Sequence, residues 1–255
     1  MTETGTGLPP VVELLWGLRD RGRRGGPRPA LSLDRIVGAA VELADTGGLA
    51  ALSMSRLAEG LGFTTMSLYR YVSSKDELLV LALDAAIGPP PENAPDAGWR
   101  AGCEAWAAAL MEVYRRHPWA LELPISALPA GPNQLGWLDR VLAALGGTAL
   151  AEWEKMSSAL MLATYGRTQA QLMVDLTRAT RRAAETGTPA PDWGAIITRL
   201  ADRDRFPALA RAAAAGAFGP DGPADSMDEF GAEEFGFGLA RLLDGIEALD
   251  RGRRG

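Results

Sequence analysis

Apolar residues along this chain return every three or four positions and rarely alternate, a spacing that commits it to helices rather than strands. After Ser32, the residues Leu33, Ile36, Val37, Ala40, Val41 and Ala44 form one continuous stripe. Ser32 suits the N-cap of that helix and Gly47 its end. Alanine and leucine, good helix formers, dominate the longer segments. The expected fold is all-α. Breakers at Gly25–Pro27, Gly47-Gly48, Gly62, Gly88–Pro91, Pro118, Pro129–Pro132, Gly146-Gly147, Gly187–Pro191 and Gly219–Pro223 cut the chain into roughly nine or ten helical pieces.

The pieces change character near Pro91. Before it they are short and closely spaced. A brief helix follows Ser53, with Leu57, Ala58 and Leu61 facing inward and Gly62 at its last turn. Another starts at Thr64 or Thr65 and runs through Tyr71. Ser74-Lys75-Asp76-Glu77 then forms an S-x-x-E capping box ahead of Leu78–Ile87. Beyond Pro91 longer helices are expected over 99–116, 134–145, about 149–184, 193–203 and 228–250. The partition expected is a flexible basic arm over 1–30, a three-helix head over 31–78, and a larger helical domain over 79–255.

Charge follows this partition. The net charge is −6, which on its own argues against a polyanionic partner. Residues 16–75, however, carry nine basic against five acidic residues and so stand at +4, while 76–255 carry 17 against 25 and stand at −8. A basic segment on an acidic body presents one end to a polyanion and turns the rest away; a solvated basic tail would show the same count. No apolar run is long enough to span a bilayer, and Leu8–Leu18 is too short and too broken by Pro9, Pro10 and Glu13 for a signal peptide. The single cysteine, Cys103, makes neither an internal disulfide nor a thiolate metal site, and it lies on a face with Trp106, Ala107, Leu110 and Tyr114 as a small buried hydrophobe. A cytoplasmic protein without a cofactor is expected.

A helix-turn-helix needs a small residue where its two helices cross, a turn residue tolerant of a left-handed backbone, and an apolar anchor on the second helix. Ala58, Gly62 and Leu68 meet these needs. The run from Leu52 to Leu79, LSMSRLAEGLGFTTMSLYRYVSSKDELL, resembles the DNA-binding segment of TetR-family regulators, most tellingly in Leu68-Tyr69-Arg70-Tyr71-Val72 followed by Lys75 and Leu78. The close likeness covers 32–87; beyond it only the helical layout is similar, nearest to the tetracycline-repressor-type C-terminal half.

The resemblance implies a homodimer on palindromic double-stranded operator DNA. It implies that Thr64, Thr65, Met66 and Ser67 face base edges in the major groove, the hydroxyls by hydrogen bonds and Met66 against thymine methyls. It implies that Tyr69, Tyr71 and Lys75 touch backbone phosphates. Ser53 caps its helix and is a further phosphate candidate. At Ser55 the chain departs from the family's founding member, which has a base-reading arginine there, so that operator preference does not transfer. The competing reading makes Tyr69 and Tyr71 half-buried aromatics and Lys75 a solvated residue, although a lysine in a first helical turn opposes the helix dipole. Five arginines between Arg19 and Arg28 suit either an adjacent minor groove or a disordered tail.

By the same resemblance the C-terminal half holds an effector pocket and a four-helix dimer interface. Phe235, Leu239, Leu242, Leu243, Ile246 and Leu249 form a stripe too apolar for a terminal helix in water, expected to pair with the helix over 149–184. Trp106, Leu110, Trp119, Trp137, Met156, Leu160, Tyr165 and Met173 are the candidates to line a pocket for a small hydrophobic or aromatic effector; they read equally as plain core. His117, the only histidine, is expected to satisfy a helix-end carbonyl. Repression rather than activation rests on the resemblance alone. The alternatives are an all-helical ligand-binding protein that has lost DNA binding, or an enzyme. No G-x-S-x-G, H-E-x-x-H or Walker loop is present, and one histidine leaves no base beside a nucleophile.

Overall fold

The computed structural model describes residues 6–18, 30–92, 98–124, 130–187, 193–217 and 227–255, and among them every regular element is helical. The order is α1 (Pro10–Leu15), α2 (Leu33–Ala51), α3 (Met54–Leu61), α4 (Thr65–Tyr69), α5 (Lys75–Ile87), α6 (Trp99–Arg116), a 3-10 turn (Pro118–Glu122), α7 (Pro132–Leu145), α8 (Glu152–Thr186), α9 (Trp193–Leu200), α10 (Pro207–Ala214) and α11 (Met227–Arg254). Two compact units emerge, residues 1–163 with 250–255 and residues 164–249, so α8 and α11 each contribute to both.

The first unit is built around α2. Ser32 caps it, its hydroxyl accepting from the Arg35 amide, and the helix breaks at Gly48, where φ is 70°. A side chain there would collide with its own backbone, so glycine sets the stop. Ile36, Val37, Ala40 and Ala44 are buried from the α2 stripe. They meet Leu57, Ala58 and Leu61 of α3, Leu68 of α4, and Leu78, Leu81 and Ala82 of α5 in one cluster. Burying a leucine or isoleucine in such a cluster contributes roughly 1.5–3 kcal/mol, so the stripe, rather than intrinsic propensity, holds these short helices.

Three differences from the sequence-based expectations have local causes. The helix after Thr64 ends at Tyr69, two residues early, because the Leu68 carbonyl accepts from both the Tyr71 and Val72 amides and closes the turn. The capping box is displaced: the Ser74 hydroxyl accepts from the Glu77 amide, but the Glu77 carboxylate turns to the amide and hydroxyl of Ser73. The stretch expected to be a flexible arm contains α1, opened by Pro10 in the first helical turn and packed against α5. Leu14 and Leu15 of this helix lie on the head cluster.

Farther along the first unit, α6 packs on α7 and α7 on α5. Cys103, Trp106, Ala107 and Leu110 are buried on one α6 face, as the spacing requires. Burial pushes the Cys103 thiol up to about 12, which leaves it protonated and inert. The α11 C-terminus closes this unit: Arg253 pairs with Glu154 at 2.5 Å, Asp250 accepts from the Ala149 amide at 2.6 Å, and Arg254 donates to the Gly147 carbonyl at 2.7 Å.

In the second unit the glycines of α11 admit large side chains of α8. A Cβ on Gly238 would lie 3.0 Å from Cε2 of Tyr165, and one on Gly231 would lie 3.2 Å from Cγ of Met173. Tyr165 stacks on Phe235, ring centroids 5.6 Å apart, and donates its hydroxyl to the Phe235 carbonyl. Helices α9 and α10 pack on each other.

Candidate nucleic-acid interface and effector region

The turn between α3 and α4 has the geometry that helix-turn-helix reading demands. Gly62 takes a left-handed conformation, φ 77° and ψ 29°, and the chain is pinned there by Phe63 N–H to the Ala58 carbonyl at 2.9 Å. Ala58 is small and buried where the helices cross, and Leu68 anchors α4 in the core. Anchoring one side of α4 exposes the other. Met66 is 72% exposed, and Thr64 is exposed beside the partly exposed Thr65 and Ser67.

The hydroxyls here already carry structural duties. Thr64 caps α4 by accepting from the Ser67 amide at 3.3 Å and lies 3.0 Å from the Ser67 hydroxyl. Ser53 caps α3 by accepting from the Arg56 amide at 3.2 Å. In both cases the hydroxyl accepts from an amide, which leaves its own proton for another partner. Tyr69 and Lys75 are exposed, and Lys75 opens α5 immediately after its Ser74 cap.

Tyr71 is placed otherwise. It is half-buried, and its hydroxyl donates to the Leu31 carbonyl at 2.8 Å. A phenol has one proton, and here the Tyr71 hydroxyl spends it as a brace on the N-terminal side of α2. Arg35 also serves this corner: it donates to the Ala30 carbonyl and lies over the Phe63 ring, 5.8 Å from its centroid. The arginine stretch Arg19–Arg28 lies outside the described residues.

Of the eight residues expected around an effector, six fall in the first unit and two, Tyr165 and Met173, in the second. Trp106 and Trp137 meet edge-to-face at 5.9 Å, and the Trp106 indole donates to the Trp137 carbonyl at 2.9 Å; Leu110 is buried on the same α6 face. Trp119 belongs to the head: it is 1% exposed within the α2 cluster, and its indole donates to Asp45 at 2.6 Å. Met156 and Leu160 lie exposed on α8, together with Met161 and with Trp153, which is 68% exposed. Tyr165 and Met173 belong to the second unit, where they pack on α11 glycines. A groove of about 590 Å³ in that unit is lined by Arg203, Pro207, Ala210, Arg211, Ala214 and Ala215, none of the eight.

The α11 stripe is also largely spent within the chain. Leu239, Leu243 and Ile246 are buried, Phe235 and Leu242 partly so, and Leu249 together with Phe237 remains exposed.

Two polar connections escaped sequence reasoning. Asp45 of α2 binds both the Trp119 indole and His117, the latter through Nδ1 at 2.7 Å, so His117 ties the end of α6 to the head rather than capping a carbonyl. Asp84 of α5 reaches the first turn of α7, accepting from the Gln134 amide at 3.0 Å and the Asn133 amide at 3.3 Å. The Asn133 side chain donates back to the Asp84 carbonyl at 2.9 Å. Gly131, the N-cap of α7, supplies no side chain of its own, so Asp84 caps that helix from another element. Burial pushes the Asp84 carboxyl above its ordinary range, and the two amides oppose the shift.

A three-helix head with an αL-glycine turn and an exposed second helix, followed by a helical domain, defines a helix-turn-helix DNA-binding regulator. Residues 36–82 match the family of bacterial regulatory proteins, tetR family, and residues 90–249 match the tetracyclin repressor-like C-terminal domain; the chain belongs to the TetR family of transcriptional regulators. It is 41% identical to the HTH-type transcriptional repressor DrrR1 of Streptomyces coeruleorubidus over 264 residues, covering 100% of this chain and 92% of that one. Among solved structures it is similar to the TetR family protein ActR of Streptomyces coelicolor. The complex of ActR with actinorhodin aligns at a TM-score of 0.70 and 25% identity, covering 88% of this chain and 98% of ActR. Apo ActR aligns at 0.66 and 26%, with the same coverage. Among the described residues no helix is long and apolar enough to cross a membrane.

Proposed function

We propose that this protein is a cytoplasmic, non-enzymatic repressor that binds a palindromic operator as a homodimer and leaves it when a small hydrophobic or aromatic effector binds. In this reading residues 31–78 contact DNA and 79–255 bind the effector and the second subunit. The observation that carries it is Met66, a large apolar side chain 72% exposed on a helix that Leu68 anchors in the core. Leaving it in water has no folding benefit, whereas a thymine methyl in the major groove would cover it. Thr64, Thr65 and Ser67 would choose sequence beside it, and Ser53, Tyr69 and Lys75 would hold phosphates.

Dimerisation is supported by the apolar α8 face of Trp153, Met156, Leu160 and Met161, which a second copy would cover. Two heads must stand about one DNA turn apart, roughly 34–36 Å, to read a palindrome. Release follows if the effector fits better when the heads are misaligned. Repression is supported by the kinship with DrrR1, and effector control by the likeness to ActR, which has been crystallised with actinorhodin.

The test is selection of bound duplexes from a random pool, with and without actinorhodin as the first probe. An enriched palindrome whose retention falls with a ligand supports the reading. Failure to enrich any duplex overturns it in favour of a helical ligand-binding protein.

A further inference from the structure

The segment ahead of the head lies outside both family-matched spans, 36–82 and 90–249, yet it is docked where the head meets the rest of the first unit. Helix α1 packs on α5, and Leu14 and Leu15 reach the head cluster. One residue beyond the helix, the Trp16 indole donates to the Ala130 carbonyl at 2.8 Å. Ala130 immediately precedes Gly131, where α7 begins.

The same helix start already receives α5. Asp84 caps it, and the Trp137 indole of α7 donates to the Gly88 carbonyl at the end of α5 at 3.0 Å. Residues Pro10–Trp16 therefore touch both partners of a joint, α5 through helix α1 and the α7 lead-in through the indole. We propose that this segment is a strap: it fixes α5 against the start of α7 and sets the posture in which the head is presented to DNA, with Trp16 as its positioning residue.

Turning α5 on α7 would either drag Leu14 and Leu15 or break the Trp16–Ala130 bond. The strap is weak enough to yield. No residue of α1 is fully buried, and Trp16 itself is 46% exposed, so its docking belongs to the low-stability part of the structure. Two heads that must match one spacing bind best when each samples few postures, because ordering a loose joint on DNA costs affinity. The inference rests on the operator-binding dimer proposed above.

The experiment uses the full chain and the duplex enriched by selection. Trp16→Ala should weaken binding about fivefold, the worth of one net hydrogen bond. It removes no charge, so the salt slope should stay unchanged. Hydrogen exchange at the Asn133 and Gln134 amides should quicken, and Trp16→Phe, which keeps a ring and loses the N–H, should fall between. Leu8→Ser, at an exposed position just ahead of the strap, should do nothing. Unchanged affinity and exchange in Trp16→Ala would overturn the strap, as would a fall in affinity with a matching fall in salt slope, which would mean the segment only delivers arginines. If Trp16→Ala does not fold, Trp16→Phe carries the same comparison. If the native chain binds no duplex, the operator reading falls and the strap is judged on amide exchange alone.

Discussion

Substituting Gly131 by alanine is expected to damage the α5–α7 joint through space alone. Gly131 has an ordinary backbone, φ −77° and ψ 152°, so alanine meets no torsional objection. A Cβ built there would overlap the Asp84 carboxylate and lie 2.9 Å from the Asp84 Cβ. The carboxylate must move, and moving it releases the Gln134 and Asn133 amides that it caps. Losing a cap costs about 1 kcal/mol, and a buried carboxylate left without donors costs more, so the variant should lose on the order of 2–4 kcal/mol. Urea denaturation monitored by far-UV circular dichroism reads the loss. The decisive control is the same substitution in an Asp84→Ala background. With the carboxylate gone only the residue-84 Cβ, 2.9 Å away, still crowds the new methyl, and Gly131→Ala should cost clearly less there than in the native background. Equal costs in the two backgrounds would refute the reasoning, because they would place the penalty somewhere other than Asp84.

Lys75→Ala should weaken operator binding on all sequences alike and lower the salt slope by about one, whereas Thr65→Ala should cost roughly 1–3 kcal/mol at particular base pairs. Binding titrations on the selected duplex and its point variants separate the two, and uniform loss for both would contradict the division of labour. Asp45→Ala leaves the Trp119 indole N–H without its partner inside the head and should destabilise the protein by about 2–3 kcal/mol; Asp45→Asn, which keeps an acceptor oxygen, should cost visibly less in the same denaturation assay. Glu154 is held below the ordinary carboxylate range by the Ala151 amide and Arg253, and Asp250 by the Ala149 amide and Arg254. Groups lowered on folding contribute stability above their unfolded values and lose it as pH falls through the folded ones. Stability should therefore be flat above about pH 5 and fall toward pH 3, with a shallower acid fall in the Glu154→Gln, Asp250→Asn pair; an identical fall would show that other carboxylates govern it.

The head was legible because its determinants are local. Ser32, Ser53, Thr64 and Ser74 each cap with an amide three residues on, and such pairs stand side by side in the text of the chain. The ties of Trp119 and His117 are hidden because their common partner, Asp45, lies 74 and 72 positions away, and no periodicity announces an indole committed to a distant carboxylate. The Tyr71 brace on Leu31, 40 positions back, is hidden in the same way. The α11 stripe illustrates a second limit. Helical spacing reveals that Leu239, Leu243 and Ile246 need covering, but not whether their own chain or a second copy covers them. The unexpected α1 has a simpler cause: Leu8–Leu18 is short and interrupted, and its need for a partner becomes visible only when α5 offers one.

The clasp that closes the first unit has a consequence for biosynthesis. Arg253, Asp250 and Arg254 grip residues 99, 101 and 107 positions upstream, so the groups that finish this unit are translated after everything they hold. The head, with its near-neighbour contacts, can form while the chain is still emerging; the unit that carries it stays open until the α11 end arrives. A change at the α11 end would thus act on a unit whose head is made well before it.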